Sequence, residues 1–139
     1  MRTLGIDYGD KRIGVSISDP MVIIATGIAV VGKGETFGQD IQEISSLIKK
    51  YDGVNEIVVG LPRTMSGTAG IQVEKVMKFV EALKQAFKIN IITADERLTT
   101  VVAERALIET GMSRAKRKQV IDQSAAANIL QNYLDRKKK

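Results

Sequence analysis

An α/β fold is predicted: a mixed five-stranded sheet, antiparallel at its start and parallel afterwards, with helices on both faces. Three observations carry this. The first 31 residues read as three β-rich runs joined by short turns. From about residue 35 the apolar spacing becomes helical, and helix-like and strand-like segments then alternate. No repeat, linker or low-complexity segment interrupts the pattern. The chain has 139 residues, 44% of them hydrophobic, which fits one domain over 1–139 built on one core.

The elements follow in order. Arg2 to Asp7 is an apolar run ended by the turn signal Tyr8-Gly9-Asp10-Lys11. From Arg12 to Ser18, Ile13, Val15 and Ile17 alternate with Gly14, Ser16 and Ser18, the period of a strand with one buried face. Ser18-Asp19-Pro20 turns the chain into a third run, Val22 to Val31. Turns this short make the three an antiparallel meander. Ile41, Ile44, Ile48 and Tyr51 recur at helical spacing, predicting a helix from Glu35 to Lys50 that Asp52-Gly53 ends. Glu56 to Gly60 is a short buried strand, and Leu61 to Gly70 is polar and loop-like. Val73, Val76, Val80, Leu83 and Phe87 mark a second helix, and Ile89 to Thr93 another buried strand. Thr99 or Thr100 can cap a third helix with Val102, Ala103, Ala106 and Leu107 inward, ended by Gly111. A last helix is expected from Gln119 to Tyr133, with Ala125, Ala126, Ile129 and Tyr133 as its inner stripe.

Composition narrows the chemistry. The absence of cysteine excludes disulfides, thiolate nucleophiles and cysteine-held metals. The absence of histidine excludes the Ser-His-Asp triad and nearly every zinc or copper site. Carboxylates that remain favour hard cations, above all Mg²⁺ or Mn²⁺. Net charge is +5, concentrated at Arg114, Lys116, Arg117 and Lys118 and again from Arg136 to Lys139. The internal cluster reads either as a contact for a polyanion, most simply nucleic acid, or as a solvated face. The terminal cluster allows the same polyanion contact, but a frayed tail is the preferred reading there. No apolar run reaches the roughly 18 residues of a membrane span. The start lacks a secretory signal, so no membrane association and a cytoplasmic location are expected.

Acids fall where an α/β sheet builds a site. Asp7 closes the first strand, and Asp95 and Glu96 follow the strand ending at Thr93, beyond carboxyl ends. Asp122 lies three, four, seven and eleven residues before Ala125, Ala126, Ile129 and Tyr133, at the head of the last helix's inner stripe. Each has an ordinary explanation: a turn residue for Asp7, an ion pair with Arg97 for Glu96, a helix-start acid for Asp122. Together, three carboxylates at one sheet edge repel unless cations lie between them. Two divalent ions about 4 Å apart would satisfy the cluster and suit phosphodiester cleavage.

Leu4-Gly5-Ile6-Asp7-Tyr8-Gly9-Asp10-Lys11-Arg12-Ile13-Gly14-Val15 resembles the opening motif of the YqgF family, the Holliday-junction-resolvase-like or pre-16S rRNA nucleases. Val58-Val59-Gly60-Leu61-Pro62 and Gly67-Thr68-Ala69-Gly70 resemble its next motif, and Asp95-Glu96-Arg97-Leu98-Thr99-Thr100 its central one. Asp122-Gln123-Ser124-Ala125-Ala126 with Ile129-Leu130-Gln131 is similar to its closing motif. One departure is Ser16, where the family usually has alanine; it touches no acid. The resemblance implies a ribonuclease-H-like fold and a metal-dependent nuclease whose acidic triad is Asp7, Glu96 and Asp122. It implies processing of the 5′ end of ribosomal RNA precursors or, alternatively, resolution of Holliday junctions in branched DNA.

Basic residues supply candidate substrate contacts. Lys11 and Arg12 sit just past Asp7, and either contact phosphate or decorate a charged hairpin turn. Arg97 either orients Glu96 and stabilises charge on the phosphate, or forms a simple ion pair. Arg63 lies in a strand-end loop that borders the site or merely the surface. Lys116 and Arg117 belong to the internal basic cluster. With 4% aromatic residues, a base-stacking platform is not expected, so recognition should rest on phosphate and shape. Two other readings compete. Asp7-Tyr8-Gly9 before a hairpin resembles the phosphate loop of actin-like kinases, but that fold needs two lobes and the chain has one. A non-catalytic RNA-binding assembly factor would keep the fold without binding metal. A monomer or a homodimer is expected, with no apolar stripe left over to mark an interface.

Overall fold

In the computed structural model residues 1–9, 11–62, 68–96 and 114–137 are described, with the backbone course alone at 62, 68–69, 95–96 and 114–124. The elements are β1 (Arg2–Tyr8), β2 (Arg12–Ser18), β3 (Ala25–Gly32), α1 (Phe37–Lys50), β4 (Val54–Pro62), α2 (Thr68–Ala86), β5 (Asn90–Glu96) and α3 (Arg114–Lys137). The helix expected from Thr99 or Thr100 to Gly111 lies outside the described residues.

The strands form one sheet in the order β3-β2-β1-β4-β5. β1, β2 and β3 are antiparallel neighbours, while β4 pairs parallel with β1 and β5 parallel with β4. The mixed sheet expected from the sequence is therefore the one observed. Alternation decides its faces. Leu4, Ile6, Tyr8, Ile13, Val15, Ile17, Ile57 and Val59 point to one side and pack on Ile44 of α1 and Val76, Phe79, Val80 and Leu83 of α2. Burying each such side chain contributes roughly 1.5–3 kcal/mol. Residues between them in the chain, Thr3, Gly5 and Ser16, face α3, which crosses β1, β2 and β3.

α3 packs close because the strands beneath it carry little bulk. A Cβ on Gly5 would meet Ser16 Oγ, lie 2.8 Å from Leu130 Cβ and 3.1 Å from the Ala126 carbonyl. A Cβ on Gly60 would meet the end of the Ile129 side chain. Polar contacts then fasten the helix. Ser16 Oγ donates to the Ala126 carbonyl at 2.7 Å. The Gln131 amide accepts from Ala25 N–H at 2.9 Å and donates to the Ile23 carbonyl at 3.0 Å. Lys137 reaches the nearly buried Glu56 at 3.4 Å, and Thr3 Oγ1 donates to the same carboxylate at 3.3 Å.

Several boundaries differ from the periodicity. The third strand starts at Ala25 rather than Val22, because Asp19 takes the N–H groups of Ile23 (2.7 Å) and Ile24 (2.8 Å) and Val22 stands at φ 59°. α1 starts at Phe37 rather than Glu35, since Thr36 caps it by accepting from Gln39 N–H. β4 runs from Val54 to Pro62 and α2 begins at Thr68, leaving 63–67 of the expected loop outside the described residues. β5 continues through Glu96, three residues past the apolar run, because its ladder with β4 continues to the Pro62–Glu96 pair. α3 starts at Arg114, not Gln119; Ala, Lys, Arg and Gln extend a helix without an apolar stripe.

Polarity is shared across the molecule. β1, β3, β4 and β5 all end at one edge of the sheet, since β2 alone runs the other way. α1 and α2 each start at that edge, following β3 and β4. α3 runs antiparallel to β1: Lys137 meets Glu56, the partner of Thr3, whereas Ala126 and Leu130 lie over Gly5. Its N-terminus therefore lies toward the same edge. Among the described residues no helix is long and apolar enough to cross a membrane.

Candidate active site

Asp7 is half-buried near the end of β1, paired with Gly14 of β2. It is the next position after Gly5 on the α3 face, because side chains alternate along a strand. The strand continues one residue past it to Tyr8.

β5 separates two acids that the sequence presents as a pair. Val59 pairs with Thr93, Gly60 with Ala94, Leu61 with Asp95 and Pro62 with Glu96, without a register shift. Leu61 packs with the α2-side core, and Gly60 abuts Ile129 of α3. Pleat parity therefore places position 95 on the α2 side and position 96 on the α3 side, the side of Asp7.

Asp122 lies one helical turn before Ala126 on the same stripe of α3. Along β1 the step from Gly5 to Asp7 is about 6.6 Å. Four residues back along an antiparallel helix is about 6 Å. The stripe that covers Gly5 with Ala126 thus carries position 122 over position 7. The sequence expectation put Asp122 near a helix start, where the macrodipole alone would favour an acid. α3 begins eight residues earlier, at Arg114, and that effect fades within the first turn.

The backbone thus brings positions 7, 96 and 122 to one end of one face. By this spacing position 122 falls near position 7, while position 96 is two strand spacings away across β4, about 10 Å, and two residues, about 6–7 Å, further along the strand direction. The donor set these residues offer is all oxygen, which matches a hard divalent cation and no soft one. Among described residues no group of three or more acids is assembled around a metal position; the side chains at 96 and 122 are outside that description.

Among the basic candidates, Lys11 is exposed in the β1–β2 turn, which Gly9 N–H closes on the Arg12 carbonyl at 2.9 Å. Arg12 is half-buried at the start of β2 and shares the parity of Gly14 and Ser16, hence the face of Asp7. Arg63 and Arg97 lie outside the described residues. Lys116 and Arg117 occupy the first turn of α3, at about 120° and 140° around the helix axis from position 122. Lys118, one turn before Asp122, shares its stripe at about 40°.

One residue the sequence reading set aside has a structural part here. Ser16, fully buried, ties β2 to the α3 turn that follows Asp122. The signal was present in the small residues Gly5, Gly14 and Ser16 on adjacent strands, which mark a close helix approach.

A family model described as "RuvX: Holliday junction resolvase" matches residues 1–136. A "Putative pre-16S rRNA nuclease" of Thermoanaerobacter pseudethanolicus is 55% identical over 139 residues, covering 99% of each chain. A protein of the same name from Caldanaerobacter subterraneus subsp. tengcongensis is 52% identical, again over 99% of each chain. Among solved structures, T. thermophilus RuvC in complex with a Holliday junction substrate superposes with a TM-score of 0.61 at 13% identity, covering 99% of this chain and 96% of that one. The Fowlpox virus resolvase, in complex with Holliday junction DNA, gives 0.60 at 13% identity with full coverage of both chains. At such identity these two establish the fold, which is the ribonuclease-H-like fold of RuvC-type resolvases.

Proposed function

Because the chain belongs to the RuvX family of Holliday junction resolvases, we propose that it is a metal-dependent nuclease that hydrolyses phosphodiester bonds at the 5′ end of ribosomal RNA precursors, in the cytoplasm. The observation that carries the reading is the convergence of positions 7, 96 and 122, from β1, β5 and α3, on one end of one sheet face. Relatives that share half of the sequence and carry the pre-16S rRNA nuclease name favour the RNA substrate.

In this reading Asp7, Glu96 and Asp122 hold Mg²⁺ or Mn²⁺. Such ions, when bound, supply a nucleophilic water and stabilise the leaving oxygen. The residues of the chain do the rest. Asp7 lies centrally, between the strand and the helix that bring the other two acids. Lys11 and Arg12, at the turn beyond it, neutralise and orient the phosphodiester backbone, with Arg63, Arg97, Lys116 and Arg117 extending that contact. α3, held on β2 by Ser16, keeps position 122 at a constant height above β1. The protein works as a monomer or a homodimer.

The test is Asp7→Asn, assayed with Mg²⁺ or Mn²⁺ on precursor RNA, single strands and four-way DNA junctions. A fall in cleavage of about 10³-fold, a few kcal/mol of lost charge stabilisation, is expected with the fold intact. Undiminished cleavage would sink the assignment. The family description and the junction-bound neighbours support a second reading, junction resolution. Cleavage of the junction but not of precursor RNA would select it.

A further inference from the structure

On the side of the sheet opposite Asp7 lies a cavity of about 360 Å³ at the same edge, lined by Tyr8, Lys33, Lys75 and the Gly34–Phe37 segment over Asp40. We propose that this cavity is an accessory phosphate subsite, in which Lys33 and Lys75 hold the backbone of the substrate strand as it passes over the edge from the acids. The proposal rests on the nuclease reading for the identity of the polyanion, and on the cavity itself for everything else.

Lys33 is held in place without being neutralised. Its Nζ lies 4.1 Å from the centroid of the Tyr8 ring, whose other face stacks on Phe79 at 4.1 Å and 15°. A cation over an aromatic face is attracted to it and keeps its full charge. Lys75 reaches the same cavity from α2 and is exposed. Neither lysine has an ion-pair partner among the described residues.

Of the two acids of the cavity, Asp40 is engaged within the protein and Glu35 is exposed. Asp40 is buried and already accepts from Gly34 N–H at 2.7 Å and from Tyr8 Oη at 3.4 Å. Burial, then the charge and hydrogen bond of Asp40, push the Tyr8 phenol up, so it stays protonated and keeps donating. Glu35 is exposed at the rim, its N–H bonded to Gln39 Oε1 at 2.6 Å. Thr36, Gln39 and Asp40 accept from the N–H groups of Gln39, Glu35 and Gly34, and the two lysines are the groups of the cavity that carry positive charge for an anion.

Continuity with the acid site comes from the backbone. Lys33 N–H donates to the Lys11 carbonyl at 3.0 Å, so the turn beyond Asp7 and the mouth of the cavity are adjacent. Tyr8, which floors the cavity, follows Asp7 directly in β1 and points to the opposite face. A strand whose phosphodiester lies at Asp7 and crosses Lys11 meets Lys33 next and then Lys75. A lysine there binds phosphate as a point charge, indifferent to base identity.

The experiment measures binding in metal-free buffer with EDTA, using fluorescent RNA and a fluorescent four-way DNA junction in parallel arms, for the parent protein and Lys33→Gln/Lys75→Gln. The expected result is binding about tenfold weaker at 50 mM salt, with the slope of log affinity against log salt reduced by about 1.4–1.8. Lys75 is exposed and has no ion pair among the described residues, so Lys75→Gln alone should reduce the slope by about 0.7–0.9 with the melting temperature unchanged. The arm that responds, RNA or DNA, identifies the source of the backbone. Unchanged slopes in both arms overturn the subsite. Loss of cleavage in Asp7→Asn with unchanged slopes leaves the nuclease reading standing without the subsite. Reduced slopes with undiminished Asp7→Asn cleavage do the reverse.

Discussion

Gly5 and Gly60 both lie under α3, but they are not equivalent. At Gly60 the obstacle to a Cβ is the tip of Ile129, which can swing aside. At Gly5 the obstacles are Ser16 Oγ, Leu130 Cβ at 2.8 Å and the Ala126 carbonyl at 3.1 Å, two of which move only with the helix. Overpacking a close-packed interior costs typically 1–3 kcal/mol. We expect Gly5→Ala to lose about that much in urea unfolding and Gly60→Ala clearly less; equal or reversed losses would contradict the account. At this scale the acids Asp7 and Glu96 were legible as polar residues where apolar strands run out. The difference between Asp95 and Glu96 was not legible from the spacing of the residues, because it depends on pleat parity, which only the pairing of β4 with β5 supplies. Ser16 was legible only as a residue opposite the buried face of its strand; it is in fact fully buried as a helix fastener, because α3 covers that face and its partner Ala126 is 110 residues away.

Elements were legible wherever the apolar period was clean and illegible where hydrogen bonds alone extend them. β2 matches its expectation residue for residue, because Ile13, Val15 and Ile17 mark one face without interruption. β5 and α3 both run further than their apolar residues do, held by ladder pairing in one and by helix-forming side chains in the other. The β2–β3 turn shows the opposite case, a β-like run cut short by one side chain. Asp19 accepts from Ile23 and Ile24 N–H, and those bonds hold its carboxyl below the usual range. A carboxyl depressed in the folded state adds stability above its unfolded pKa and loses it as pH falls through the folded value. The contribution should therefore be complete above about pH 5 and fade below about pH 4. Asp19→Asn should flatten that acid limb, read as the difference in urea midpoint between pH 6 and pH 3; parallel pH profiles would rule the turn out as its source.

At the scale of the whole molecule, α3 divides the labour of the fold. Its second half is fastened to the sheet through Ala126, Gln131 and Lys137, and its first half carries Asp122 and the basic residues. The RuvC-type fold was legible because strand order and helix alternation are properties of the whole chain and survive errors at individual ends. The height of α3 over β1 was not, because it is set by contacts between residues more than a hundred positions apart.

The shared polarity of the elements has a consequence for motion in solution. Three helices turn their N-termini, and four strands their carboxyl ends, toward one edge. Each helix start carries about half a positive charge. Lys11 and Lys33 stand at the same edge. With the basic first turn of α3 at that edge as well, the protein is an oriented body in the field of a polyanion. It should rotate before it touches, so that collisions arrive edge first. The Debye length shrinks from about 14 Å at 50 mM salt to about 7 Å at 200 mM, so the torque is felt only at low ionic strength. In stopped-flow mixing with fluorescent RNA, the association rate should fall about tenfold or more across that range, while dissociation changes less. An association rate flat with salt would mean that the edge is found by chance and not by steering.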